Sequence, residues 1–121
     1  MTYKEFNKFC SSLPATTYVT QWGGSHVWKV GEKVFAIGGW EKMGNPAITF
    51  KTSDLNYHFL NDQTGYRPAP YLAARGMKWI QQYDVPDTED NEVTYYLSES
   101  HRIVSLGLTK KKQKELGLNQ H

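Results

Sequence analysis

The sequence has one cysteine, five prolines, no hydrophobic run long enough to cross a bilayer and a formal net charge of only +2. Each shortage closes off a class of protein. A lone Cys10 cannot form an internal disulfide, and no stretch approaches the ~18 apolar residues of a membrane span. The opening MTYKEFNKFC carries an acid and no apolar core of the signal-peptide kind, so the expected location is the cytoplasm. The small net charge falls short of the strongly basic signature of a dedicated nucleic-acid binder. At 121 residues the chain suits one domain, 1–121, long enough to enclose a core without disulfides or a metal clip and too short for two.

Catalytic and metal-ligating patterns are also missing. His26, His58, His101 and His121 are far apart, with no pair at metal-ligand spacing. His101 follows Leu97 by four residues and reads as a partly buried structural histidine. The acidic run from Asp84 to Glu92 lacks the glycine and terminal glutamate that close a calcium loop. Gly23-Gly24 and Gly38-Gly39 match no phosphate-cradling string and read as a hairpin turn and a strand end. Ser11, Ser12, Ser98 and Ser100 have no nucleophile-elbow context. Cys10 has no partner base and falls on the apolar side of a helix, which makes it core. The expectation is a non-enzymatic protein with no catalytic residue, cofactor or metal, whose work is binding.

What the chain does contain is rings and segregated charge. Aromatics reach 14% and include Trp22, Trp28, Trp40 and Trp79, enough for a ring-rich core. Residues 1–83 hold nine bases against five acids, 84–109 six acids against Arg102, and 110–121 four lysines against Glu115. Such separation lets a local field steer a charged partner.

Thr2 and Glu5 have capping-box spacing, and Tyr3, Phe6, Cys10 and Leu13 recur at helical intervals until Pro14. The period then changes to two. Strands are predicted at Thr16–Gln21, His26–Val30, Lys33–Ile37 and Ala47–Lys51, with turns at Gly23-Gly24-Ser25, Gly31-Glu32 and Gly44-Asn45-Pro46. Alternation puts Trp28, Val30, Phe35, Ile37, Ile48 and Phe50 on one face, toward helices. Val27, Lys29, Thr49 and Lys51 take the other, which is expected to be wet.

Thr52 or Ser53 can cap a second helix to about Asn61, followed by GYRPAPYLAARG on an irregular path. Met77–Tyr83 reads as a fifth strand. A long helix runs from about Thr88 to Leu106, capped by Asp87 or Thr88, with Glu89, Asp90 and Glu92 in its first turn. Gly107 stops it, and Thr109 opens a last helix bearing Lys110, Lys111, Lys112 and Lys114. That lysine run reads chiefly as a solvated helix face. The fold class is α+β: an antiparallel meander of about five strands flanked by helices.

Lys29, Lys33, Lys42 and Lys51 on the meander, with Arg67, Arg75 and Lys78 beyond it, interleave with Trp22, Trp40 and Tyr71. Cations beside exposed rings suit phosphates and unstacked bases alike. On residue chemistry alone, an ordinary sheet whose lysines guard its edges accounts for them as well.

The linear order runs SLP at 12–14, WG at 22–23, VWKVGEKVFAIGG at 27–39, ITFK at 48–51, GYRPAPYLAARGMKWI at 65–80, Ser100 in the long helix and LTKKKQKELG at 108–117. It resembles the MmcQ/YjbR family of small bacterial proteins over nearly the whole chain. The most specific piece is Arg67-Pro68 with Pro70-Tyr71, then Trp79 after Lys78. The resemblance implies a CyaY-like (frataxin-type) two-layer sandwich, a cytoplasmic setting and a DNA-binding role through a "double wing". The wings would be the hairpins turning at Gly31-Glu32 and around Lys42 to Pro46, with acidic Glu32 and Glu41 at their tips. Iron delivery, the other idea a frataxin outline brings, finds only Glu5 on the first helix, beside Lys4 and Lys8, and is set aside.

The reading preferred with the resemblance is a weakly sequence-selective DNA binder that contacts phosphates through Lys29, Lys33, Lys42, Lys51, Arg67, Arg75 and Lys78. The alternative is a protein-interaction module, homodimeric or otherwise, using an aromatic sheet face or a strand edge. A small-ligand enzyme with a pocket around Arg67, Tyr71 and Trp79 ranks third.

Overall fold

The computed structural model describes residues 1–120 apart from 43, 73–74 and 87–89. The cap residues Asp87 and Thr88, the first-turn Glu89 and His121 lie outside the described residues. The elements run α1 (Tyr3–Ser12), β1 (Thr16–Gln21), β2 (Ser25–Val30), β3 (Lys33–Gly38), β4 (Ile48–Lys51), α2 (Asp54–Asn61), β5 (Tyr66–Pro68), β6 (Trp79–Gln82), α3 (Asp90–Leu106) and α4 (Lys110–Glu115). All strands join one antiparallel sheet in the order β1-β2-β3-β4-β6-β5.

Local chemistry sets the helix starts. Thr2 and Glu5 form both halves of the capping box, Ser53 accepts from the Asn56 amide, and Thr109 accepts from the Lys112 amide. Leu13 ends α1 in extended backbone, the conformation a following proline demands.

The sheet has six strands, one more than the periodicity suggests. Tyr66–Pro68, inside the stretch expected to be irregular, pairs with β6 at the sheet edge, where a proline costs no ladder bond on its outer side.

The strand faces also differ from simple alternation. Trp28 opposes Ala36 but Lys29 opposes Val34, so Phe35 is an extra residue in β3. This bulge turns Phe35 and Ala36 together into the helix-side core. Ile37, expected with Phe35, instead pairs across strands with Val27 and Thr49 on the outer face.

A bulge interrupts the ladder to β4, and α3 repairs it. Ser100 Oγ donates to the Phe35 carbonyl at 2.6 Å and accepts from the Lys51 amide at 2.9 Å. Both backbone groups keep a partner although they cannot reach each other.

Phe6, Cys10, Trp28, Phe50, Leu60, Ile80 and Leu97 belong to the core between sheet and helices. The ring of Tyr96 stacks on Phe50 at an interplanar angle of 4°. Gly38 admits α1 to the sheet, because a Cβ there would stand 2.8 Å from the Phe6 ring. Burial pushes the Cys10 thiol pKa up, consistent with a core residue.

Candidate functional site

The outer face of the sheet is not wet. A row of opposed residues crosses all six strands: Val19, Val27, Ile37, Thr49, Gln81 and Arg67. Directly opposed residues share a face, and Val27, Ile37, Thr49 and Gln81 are each at most 1% exposed. The expected solvated surface is therefore a second buried layer.

Gln81 organises this layer. Its Nε2 donates to the Trp40 carbonyl at 2.8 Å and to the Gly39 carbonyl at 3.4 Å, while its Oε1 accepts from Arg67 Nε at 2.7 Å. One neutral side chain thus ties the segment after β3 to Arg67 on the opposite edge strand. That partner is neutral, and among the described residues Arg67 stands in no ion pair. Its guanidinium lies 5.5 Å from the centroid of the Tyr83 ring, and Lys42 Nζ lies 4.8 Å from the same ring.

The segment after β3 is pinned from the other side by α1. Tyr3 Oη donates to Glu41 at 2.6 Å and accepts from the Ala47 amide at 3.2 Å. Burial, then the Glu41 carboxylate, pushes the Tyr3 pKa up to about 12. Glu41, the expected acidic tip of a wing, is held by this hydroxyl.

Three rings close over the layer. Trp22 lies 5.4 Å from Trp40, and Tyr71 packs edge-on to Trp40 at 5.2 Å. With Leu72 and Arg75 they line an open cleft of about 500 Å³. Trp22 is 55% exposed and Tyr71 72%. All three rings ride on left-handed backbone, with φ of 51° at Trp22, 59° at Trp40 and 69° at Tyr71. At Tyr71 the cause is visible: the Leu72 amide donates to the Pro70 carbonyl at 2.8 Å, closing a three-residue γ-turn about the tyrosine. Pro68 and Pro70 thus fix the path that presents Tyr71.

The seven cations expected to contact phosphate divide between two sides. Lys29, Lys51 and Arg67 rise from the outer face by strand register, Arg75 lines the cleft and Lys42 joins Arg67 at Tyr83. Lys78 belongs to the helix side, with Nζ 4.7 Å from the centroid of the Tyr57 ring on α2. Lys33 opposes Val30 on the helix side at the β2-β3 hairpin. That hairpin is no free wing, since a Cβ at Gly31, where φ is 55°, would stand 2.6 Å from Leu108. Among the described residues none of the seven stands in an ion pair; the recorded pairs are the Met1 amino group with Asp90 and Arg102 with Glu99.

Trp79 is buried on the outer face, beside Lys51 in register, and among the described residues its indole N–H has no partner. It supports the layer from within and does not line the cleft. The sequence reading missed Gln81 and Leu72. A lone glutamine in a strand gives no signal, because only the pairing shows what it bridges. Among the described residues no three His, Cys, Asp or Glu side chains group as a metal site, and no helix is long and apolar enough to cross a membrane.

A family model described as YjbR matches residues 11–103. Among solved structures, a crystal structure of the Deinococcus radiodurans protein DR2400, with the family domain DUF419, is similar at a TM-score of 0.80 and 22% identity. The match covers 97% of this chain and 88% of that one, and at such identity it speaks for the fold. No curated protein matches the chain.

Proposed function

Since this chain belongs to the YjbR family, we propose that it is a non-enzymatic, cytoplasmic DNA-binding protein that holds phosphates on the outer side of its sheet. The observation that carries the reading is the grouping of Lys29, Lys42, Lys51, Arg67 and Arg75 on one side, none in an ion pair among the described residues. Several acids lie elsewhere, on α2 and α3: Asp54, Asp90, Glu92 and Glu99. A grouping of cations on one side can orient an anionic polymer toward the sheet. The loop bearing Lys42, pinned through Tyr3 and Gln81, serves as the wing, with Lys42 and Arg67 flanking Tyr83.

Each phosphate contact contributes about 0.9 to the slope of log affinity against log salt. Replacing Lys29 and Lys51 together with alanine is expected to flatten that slope by about 2. Replacing Lys33 and Lys78, on the helix side, is expected to leave it nearly unchanged. Unchanged duplex binding in the Lys29/Lys51 variant would sink the assignment of this face.

A second reading, a self-associating protein-interaction module, draws on Leu55 and Phe59. They lie one turn apart on α2 and are 80% and 52% exposed. Sedimentation across a concentration series decides it: a dimer dissolved by Phe59→Asp supports this reading, and a monomer throughout excludes self-association.

A further inference from the structure

Only through Arg75 does the cleft formed by Trp22, Trp40, Tyr71, Leu72 and Arg75 take part in the phosphate contact proposed above, which gives its rings no task. Its construction nonetheless carries a cost. Left-handed backbone is uncommon for any residue with a side chain and an outlier for bulky ones, and such strain gathers at functional sites. Among the described residues six non-glycine positions have positive φ, and three of them supply the three rings of this one cleft. Two of those rings also leave much of their apolar surface in water.

The lining identifies the ligand chemistry. Exposed π faces and Leu72 suit a flat apolar ring, and the volume falls within the ~300–1,000 Å³ of small-ligand pockets. Among the described residues the one charged lining residue is Arg75, which has no ion-pair partner among them. A cationic guest would meet like charge there, while a flat ring with an anionic group a short linkage away would satisfy both parts. Within the chemistry of nucleic acids that object is an unstacked base with its phosphate.

We propose that the cleft captures one unpaired nucleobase, stacked against Trp22 or Tyr71 with its phosphate on Arg75, so that the protein prefers single-stranded or locally opened nucleic acid to closed duplex. This rests on the nucleic-acid reading above and adds a site to it. Gln81 is the positioning residue, since it holds the backbone of Trp40 in place.

The test is a fluorescence and anisotropy titration of the full chain with three probes: a 12-nucleotide single strand, the matching duplex and a nucleoside monophosphate. Trp22 and Trp40 report on the cleft, whereas Trp28 and Trp79 are buried and give a constant background. The expected result is at least tenfold tighter binding of the single strand than of duplex, with saturable tryptophan quenching. Tyr71→Ala and Trp22→Ala should each weaken the single strand roughly tenfold, as loss of one base-stacking ring does, and spare the duplex. Tyr71→Phe, which keeps the ring, should bind as wild type, and far-UV circular dichroism confirms folding of each variant.

Equal affinity for both strand forms, untouched by these variants, would overturn the cleft proposal and leave the phosphate-binding face standing. Quenching by the monophosphate without binding of either DNA would support the cleft chemistry with a free nucleotide as its source and remove the DNA reading. No quenching by any probe would overturn the cleft proposal, and absent DNA binding would then remove both.

Discussion

Ser100 and His101 stand next to each other on α3 and perform separate structural tasks that a residue list conceals. Ser100 completes the hydrogen bonding of a β-bulge, so Ser100→Ala leaves the Phe35 carbonyl and the Lys51 amide without that partner. The expected loss is about 2–3 kcal/mol, read as a lower midpoint in urea unfolding. His101 Nε2 donates to the Pro14 carbonyl at 2.8 Å, and its ring meets Phe35 edge-on. Burial holds its pKa below the ordinary 6.5, against the opposing effect of that hydrogen bond. The unfolded chain therefore binds the proton more readily than the folded one. Stability from this residue is complete above pH ~6.5 and falls as pH drops from there toward the folded value. Thermal midpoints between pH 7.5 and 5.5 should decline, and the decline should be shallower in His101→Gln. Histidine spacing indicated a structural role in the sequence, but the bulge that Ser100 serves was not legible. An extra strand residue changes register without changing composition.

At the scale of elements, the starts of α1, α2 and α4 and most strand positions followed from capping spacing, period-two runs and glycine turns. β5 escaped because a three-residue strand ending in Pro68 looks like irregular chain until the edge position of the sheet is known. The face assignment failed at Ile37 for the reason the bulge supplies. The outer layer depends on loops, and Gln81 is where they are joined. Gln81→Leu keeps the bulk but removes the acceptor for Arg67 and the donor to Trp40 and Gly39. It is expected to cost about 2–3 kcal/mol and to speed exchange of the Gly39 amide, which donates to the Ala47 carbonyl. Normal stability and unchanged exchange would show that Gln81 does not hold the loop.

At the scale of the molecule, the sequence showed that bases gather in the first 83 residues but not that the sheet sorts them by side. Register places Lys29, Lys51 and Arg67 outward, and the helix layer takes Lys33 and Lys78. The aromatic cleft could not be read from spacing either, since Trp22, Trp40 and Tyr71 come from three separate connections. The molecule is a two-layer α+β scaffold that presents five cations on one side around a cleft of strained rings. The proposed electrostatic capture of DNA on that side is open to direct test by titration of a 20-base-pair duplex across a salt series. With the five outer cations engaged, log affinity should fall against log salt with a slope of about −4.5. No binding at about 50 mM salt, or a slope near zero, would contradict it.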